Sequence, residues 1–143
     1  MRIMLDTNVL ISAIILESSS MKAIVEDVAL NHDLLIGSYV LDELRDVVKR
    51  KWPARIKAIE RFIHDTALET VETPPASELF CPNIRDPKDQ SVLAEAISGK
   101  VDILITGDKD FENIGLATPE IISPRQYITR FIESHSVPPN SAY

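Results

Sequence analysis

Two short apolar runs, each ending at acidic and polar residues, constrain the fold of this chain more than any other feature. Residues 3–5 form the first run, which stops at Asp6, and residues 101–106 form the second, which is followed by Asp108. Runs this short and continuous are typical of buried parallel strands. Helix capping alone would explain one such aspartate. Its recurrence favours a site at the carboxyl ends of the strands, where ligands bind in open α/β sheets.

The composition is that of an ordinary globular domain. The chain has 143 residues, of which 45% are hydrophobic and 26% charged. We expect one domain over residues 1–133 and a flexible tail over residues 134–143. No apolar run approaches the ~18 residues typical of a membrane helix, and no cleavable signal is recognisable. Cys81 is the single cysteine, so neither a disulfide framework nor a thiolate zinc site is expected, and a cytoplasmic protein is predicted.

The charge balance limits the kinds of nucleic-acid protein that this chain can be. A formal net charge of −7 argues against a protein that coats nucleic acid by bulk electrostatics. It does not exclude an enzyme that acts on nucleic acid, because a bound divalent cation reverses the local field of a carboxylate cluster.

Strands and helices alternate along the sequence. This order predicts a three-layer α/β/α sandwich with a mostly parallel central sheet. The first helix is expected over residues 9–16. The expected strands cover residues 3–5, 34–36, 68–73, 103–105 and 120–122. The ends of the first and fourth main strands should meet at one edge of the sheet.

The amphipathic helix predicted over residues 39–52 carries one acid that does not face solvent. Asp42 and Asp46 fall opposite its apolar stripe, whereas Glu43 lies at the edge of that stripe. Acids that lean inward are rarely left unpaired. The spacing therefore leaves two alternatives for Glu43, a salt bridge or a ligand role.

A second inward-facing acid is predicted near residue 89. Asp86 suits the N-cap of a helix and Pro87 its first position. The buried face of this helix is expected to consist of Val92, Leu93, Ala96 and Ile97. Asp89 falls in line with that face. The helix dipole explains an acid in the first turn but not its inward direction.

The only concentrated basic stretch spans residues 49–57. It contains Lys49, Arg50, Lys51 and Arg55, with Trp52 among them. One interpretation is a solvated helix end, where cations favour the macrodipole. The other is a surface that contacts RNA phosphates or a protein partner, with Trp52 as an anchor.

The acids together suggest a metal-dependent hydrolase. Asp6, Glu43, Asp89 and Asp108 are expected to converge, with no histidine or cysteine ligand nearby. Such a donor set suits Mg²⁺ or Mn²⁺, whose chemistry includes phosphodiester hydrolysis. Without a cation, mutual repulsion should raise the pKa of at least one of these carboxyls.

The chain resembles the PIN-domain ribonucleases over about residues 2–131. The resemblance rests on the segments 5–10 and 86–89, the acid early in the third helix, and the segment 104–108. It is greatest for the VapC-like toxins of type II toxin–antitoxin systems. It implies Mg²⁺- or Mn²⁺-dependent cleavage of RNA, homodimerisation and inhibition by an antitoxin protein.

The resemblance also implies which residues are catalytic, which bind the metal and which support them. The family's catalytic acids match Asp6, Glu43, Asp89 and Asp108, of which Asp6, Asp89 and Asp108 are implied as metal ligands. Supporting positions match Asn8 and Thr106, which would orient carboxylates or water, and Asp110. Some of the toxins carry Asn at the position of Asp108, which leaves the division of roles between Asp108 and Asp110 open.

Two other functions fit parts of the pattern. A phosphatase of the haloacid dehalogenase type also begins with an aspartate after a strand, but it requires a second aspartate where Asn8 stands. A non-catalytic PIN-like binding or regulatory module would keep the acids for structure. Metal-dependent protection from thermal unfolding, lost in Asp6→Asn, would favour the nuclease over this module.

Overall fold

The computed structural model describes residues 1–75, 86–111 and 114–134. Its strands are β1 Arg2–Leu5, β2 Asp33–Gly37, β3 Glu69–Val71, β4 Ile103–Ile105 and β5 Glu120–Ile122. Its α-helices are α1 Thr7–Ile14, α2 Ser19–Asn31, α3 Ser38–Lys51, α4 Ile56–Asp65, α5 Pro87–Ser98 and α6 Pro124–Tyr127. Short 3₁₀ turns cover Pro53–Arg55 and Lys109–Phe111, and a π-helical segment, Ile128–Glu133, follows α6.

The five strands form one sheet in the order β3-β2-β1-β4-β5. Every neighbouring pair is parallel, with Leu5 opposite Ile105 and Ile105 opposite Ile122. The predicted three-layer α/β/α sandwich is therefore confirmed. The chain proceeds from β1 outward through β2 to β3, and then resumes on the other side of β1 with β4. The boundary between β1 and β4 is thus the topological switch point of the sheet, where α/β proteins bind ligands.

The central strands are apolar throughout because helices cover the sheet. Ile3, Met4 and Leu5 have no exposed surface, and the three residues of β4 are at most 1% exposed. Strands buried on both faces lose the polar alternation of half-exposed strands. This is why the short apolar runs of the sequence located β1 and β4.

Several boundaries and one buried face differ from the sequence prediction. Helix α1 begins at Thr7 rather than at residue 9, because Asp6 is itself the N-cap and no connecting residue follows β1. Strand β3 is shorter than residues 68–73. Ile97 is 36% exposed, whereas Ala94 and Glu95 are buried, because α5 packs against both α3 and the sheet.

Two predictions concern segments that lie largely outside the described residues. The loop that contains Cys81 falls within residues 76–85, and the expected tail falls within residues 135–143 except for Ser134. Among the described residues, no single helix is long and apolar enough to cross a membrane. Helices α1 and α2 meet the length and composition criteria only when they are taken together as a pair bent by 113°.

Candidate metal centre

Asp6 is fixed at the junction of β1 and α1 by hydrogen bonds to both carboxylate oxygens. Its Oδ1 accepts from the backbone N–H of Thr7 at 2.7 Å, and its Oδ2 accepts from the Thr106 hydroxyl at 2.8 Å. Its own backbone N–H donates to the carbonyl of Ile105, which ties the end of β1 to the end of β4. Burial raises the pKa of Asp6, these hydrogen bonds oppose the shift, and the charges of Glu43 and Asp108 add to it.

Glu43 reaches the same region from α3. Its Oε1 accepts a 2.6 Å hydrogen bond from the Thr7 hydroxyl, and its Oε2 lies 3.5 Å from the Tyr39 hydroxyl, which donates to it. Lys88 Nζ lies 4.0 Å from Oε2, at the limit of an ion pair. Burial, followed by the charge of Glu43, raises the pKa of Tyr39 to about 12. The inward direction predicted for Glu43 is therefore observed, and a weak ion pair exists without excluding a ligand role.

The outward direction predicted for the other two acids of α3 is also observed. Asp42 and Asp46 are exposed. They flank Glu43 along the helix but do not line the cavity described below.

Asp89, Asp108 and Asp110 form the tightest acidic cluster in the described part of the chain. Each offers a carboxylate oxygen that lies within 4.8 Å of those of the other two. Asp108 Oδ1 accepts from the backbone N–H of Asp110 at 2.8 Å. The Thr106 hydroxyl accepts from the backbone N–H of Asp108 at 3.1 Å, and because it also donates to Asp6, it links the cluster to Asp6.

Asp89 carries the least satisfied carboxylate of the cluster. It is 7% exposed, and its Oδ2 is buried without a hydrogen-bond partner among the described residues. Burial, followed by the charges of Asp108, Asp86 and Asp110, raises the pKa of Asp89 to about 7. The expected pKa increase is thus found, and burial is its largest single cause.

One cavity of about 320 Å³ brings these side chains together. Asp6, Glu43, Asp89 and Asp108 all line it. The rest of its wall includes Asn8, Ile11, Val47, Lys51, Trp52 and Lys88. It opens beyond the carboxyl ends of β1 and β4.

The remaining predicted residues occupy different positions. Thr106 is buried behind Asp6, and Asp110 is exposed beside Asp108. Of the basic residues in this stretch, only Lys51 lines the cavity. Lys49 and Arg50 are exposed on the last turn of α3, whereas Arg55 donates a hydrogen bond to the carbonyl of Ile14, at the end of α1.

The arrangement fits a divalent cation of the hard, oxygen-preferring kind. The donors are carboxylate oxygens, and three of the acids lie within reach of a single ion. Among the described residues, no donor or cation contacts Oδ2 of Asp89. Mg²⁺ and Mn²⁺ favour oxygen donors of this type. This group of three contains Asp110, whereas the family resemblance implied Asp6. Both carboxylate oxygens of Asp6 already accept hydrogen bonds.

Glu95, which the sequence analysis overlooked, connects the two helices that carry Glu43 and Asp89. It is fully buried on α5, and its Oε2 accepts from the Tyr39 backbone N–H at 2.8 Å and from the Thr73 hydroxyl at 2.7 Å. Gly37, the N-cap of α3, has no side chain for capping, so Glu95 supplies the cap from another helix. Burial raises the pKa of Glu95 despite these bonds.

Other contributors were also missed. Thr7, Tyr39 and Lys88 contact Glu43, but hydroxyl and lysine side chains carry no sequence signal that distinguishes these contacts from surface positions. Helical spacing would not have found Glu95, because it places this residue away from the predicted face of Val92, Leu93, Ala96 and Ile97. Glu95 is buried because α5 packs against both α3 and the sheet.

The raised pKa of Asp89 predicts how the stability of the metal-free protein depends on pH. Because the pKa of Asp89 in the folded protein, about 7, lies above its ordinary value of 3.8, the proton on Asp89 contributes its full stabilisation of the folded state below pH 3.8. This contribution is lost as the pH rises through about 7. Asp89→Asn cannot ionise, so it should flatten this part of the curve. Denaturant unfolding in chelator, measured at steps from acidic to mildly alkaline pH, checks this prediction. Equal slopes of unfolding free energy against pH for Asp89→Asn and the unmodified protein would contradict it.

Comparison with solved structures reveals the same fold in several proteins. VapBC2 from Rickettsia felis, bound to a DNA fragment from its promoter, is 21% identical, with a TM-score of 0.68 over 86% of this chain and 98% of that one. VapBC-1 from nontypeable Haemophilus influenzae is 19% identical, with a TM-score of 0.65 over 87% of this chain and 99% of that one. Mycobacterium tuberculosis VapC20, described as a sarcin-ricin loop cleaving toxin, is 14% identical, with a TM-score of 0.61 over 80% and 95%.

Sequence comparisons give the family directly. No sequence among the curated proteins matches the chain significantly. The family model of the PIN domain matches residues 2–110, which include Asp6, Glu43, Asp89 and Asp108 of the cavity. This match spans most of the 143 residues and agrees with the fold and with the resemblance read from the motifs, so the chain belongs to the PIN domain family.

Proposed function

We propose that this protein is an endoribonuclease that hydrolyses RNA phosphodiester bonds with the help of Mg²⁺ or Mn²⁺. The observation that carries the proposal is the buried Asp89 carboxylate: its Oδ2 has no hydrogen-bond partner among the described residues, and it offers an oxygen within 4.8 Å of oxygens of Asp108 and Asp110. Three acids held this close destabilise one another unless a cation neutralises them. Membership of the PIN domain family supports the same conclusion.

The side chains divide the work of such a reaction. Asp89, Asp108 and Asp110 would hold the cation, and Asp6, which the family resemblance implies as a ligand, faces the same cavity. A bound cation would stabilise the negative charge that develops on the phosphate and would favour ionisation of the attacking water. Thr106 orients Asp6 through its hydroxyl, and Thr7 orients Glu43. Glu43, which faces the same cavity, would accept a hydrogen bond or a proton from the attacking water.

The chemistry of the products tests this proposal. Attack by water leaves linear phosphate ends and does not use the ribose 2′-hydroxyl, whereas attack by the 2′-hydroxyl leaves a 2′,3′-cyclic phosphate. We expect linear ends, and we expect an oligonucleotide with one 2′-deoxy residue at the cleaved position to be cut as well. Cyclic phosphate ends, or no cleavage of the 2′-deoxy substrate, would contradict the mechanism.

The basic stretch is proposed to bring RNA to this acidic cavity. Lys49, Arg50 and Lys51 are exposed at the end of α3, and Lys51 borders the cavity. Replacing Arg50 and Lys51 together with Gln should weaken RNA binding and lower the slope of log affinity against log salt by about 1 per lost phosphate contact. Turnover of bound RNA should change little, because neither residue belongs to the acid cluster.

The control for this double variant removes the same charge elsewhere. Arg61 and Lys100 are exposed and lie outside the basic stretch, so Arg61→Gln with Lys100→Gln should leave the salt slope unchanged. If both double variants bind RNA as the unmodified protein does, the basic stretch is a solvated helix end or a protein-docking surface.

We further propose that the protein acts in the cytoplasm as the toxin of a toxin–antitoxin pair, as a homodimer inhibited by an antitoxin. The family and the similarity of its fold to VapBC complexes support this role. Induced expression should arrest growth of the host cell, and Asp108→Asn should not. If cells that contain soluble, active enzyme grow normally, the toxin role is contradicted, but the nuclease activity is not.

A non-catalytic PIN-like binding or regulatory module remains the alternative class. It would keep its fold and its partner binding but would cleave no RNA with any divalent cation. Protection from thermal unfolding by Mn²⁺ that is lost in Asp6→Asn favours the nuclease, because a module that uses its acids only for structure gains nothing from the ion.

A further inference from the structure

Trp52 places an aromatic ring in the wall of the acidic cavity. It follows the last residue of α3, and its backbone N–H donates to the carbonyl of Val48. The side chain is half-buried: it packs against the hydrophobic core and also lines the cavity together with Ile11 and Val47. The cavity thus has an apolar, aromatic wall in addition to its carboxylates.

Two lysines border the same wall. Lys51 Nζ lies 5.9 Å from the centre of the Trp52 ring, and no carboxylate of the described residues lies within ion-pair distance of it. The Lys88 side chain is 68% exposed and reaches Glu43 only at 4.0 Å. Both cations are therefore available to phosphate groups. An aromatic ring and two cations in the wall of one cavity, beside a carboxylate cluster, match the chemistry of a nucleotide in which base and phosphate are bound separately.

From this juxtaposition we propose that Trp52 stacks on an unpaired base of single-stranded RNA next to the cleaved phosphate, while Lys51 and Lys88 contact the flanking phosphates. The inference rests on the proposed nuclease function and names the form of RNA that the site accepts. A base can stack on an aromatic side chain only when its face is open, and the paired bases of a duplex are covered by their neighbours.

Two cavities adjoin at Asp108. The cavity of about 320 Å³ lies within the range of about 300–1,000 Å³ typical of small-ligand sites. Asp108 also forms part of the wall of a second cavity, of about 460 Å³, lined by Ser123 and Gln126 among others. Nucleotides on either side of the cleaved bond therefore have room.

The chain offers a direct probe, because Trp52 is its only tryptophan. Intrinsic fluorescence should be measured in Mg²⁺ with the Asp6→Asn variant, so that the RNA stays intact. A short single-stranded RNA should quench the fluorescence saturably. The matched duplex and an oligomer of ribose phosphate without bases should not. Equal quenching by all three, or no quenching by the single strand, would overturn the proposal.

Two substitutions separate stacking from packing. Trp52→Ala should raise KM for single-stranded RNA about tenfold or more while kcat changes little, and Trp52→Phe, which keeps a smaller ring, should retain most of the affinity. Thermal unfolding shows whether Trp52→Ala remains folded; if it does not, Trp52→Phe and the fluorescence titration still decide the question.

The outcomes distinguish this inference from the proposed function. If the unmodified protein cleaves RNA but Trp52→Ala has the same KM and the fluorescence does not respond, Trp52 only packs against the core and the nuclease proposal stands. If Trp52 fluorescence responds to a protein partner and not to RNA, the wall is a protein-docking surface and the inference fails. If no RNA is cleaved or bound with any divalent cation, both proposals fail.

Discussion

Replacing Asp89 with Asn should lower the rate of RNA cleavage by at least about 100-fold while leaving the protein folded. Loss of residues that only support metal ligands costs about 10–100-fold, and a direct ligand should cost at least as much. The fold should survive because the substitution removes a buried carboxyl whose pKa is raised to about 7 and whose Oδ2 has no hydrogen-bond partner among the described residues. Initial rates at saturating Mn²⁺, together with thermal unfolding in chelator, measure both quantities.

Controls for this prediction lie on α3. Asp42 and Asp46 are exposed acids near Glu43 in sequence, so Asp42→Asn and Asp46→Asn remove the same charge without reaching the cavity. Each should keep nearly full activity. If Asp89→Asn cleaves RNA as fast as these controls, the acidic cluster is not the reaction centre.

Gly37→Ala should destabilise the folded protein by about 3 kcal/mol. A Cβ at this position would lie 1.9 Å from Glu95 Oε1 and 2.2 Å from its Cδ, far inside van der Waals contact. Glu95 can move away only by giving up its hydrogen bonds to the backbone of Tyr39 and to Thr73. Overpacking of a buried site costs about 1–3 kcal/mol, and the loss of bonds to a buried carboxyl adds to it. Denaturant unfolding measures the difference.

Gly107 provides the matched control for this substitution. A Cβ there would meet no atom within 4 Å, so Gly107→Ala should change the unfolding free energy by less than about 0.5 kcal/mol. The double variant Gly37→Ala with Glu95→Ala should be little less stable than Glu95→Ala alone, because the clash has been removed. If the two substitutions lower the unfolding free energy additively, Glu95 does not clash directly with the added methyl group at residue 37.

Local rules predicted much of the fold because the relevant signals are local. An apolar run that stops at a capping residue defines β1 and the start of α1, and helical spacing shows that Glu43 and Asp89 turn inward. These rules act over a few residues. They were sufficient to locate the strands along the chain and to select Asp6, Glu43, Asp89 and Asp108, which line the cavity.

The remainder of the site depends on contacts between distant segments. Glu95 caps α3 from α5, 56 residues away from Tyr39 in sequence. Arg55, which belongs to the basic stretch, donates a hydrogen bond to the carbonyl of Ile14, 41 residues away. Thr106 joins Asp6 to Asp108 because β1 and β4 are neighbours in the sheet. Sequence spacing does not contain such pairings; only the packed tertiary structure brings them together.

The most direct test of the central claim, that this acidic cavity cleaves RNA with a divalent cation, is cleavage of single-stranded RNA by metal-stripped protein. In excess chelator the unmodified protein should produce no cleavage. Adding Mn²⁺ or Mg²⁺ beyond the chelator should restore it, and Asp89→Asn should remain inactive under both conditions. Full activity of the unmodified protein in excess chelator would contradict the account.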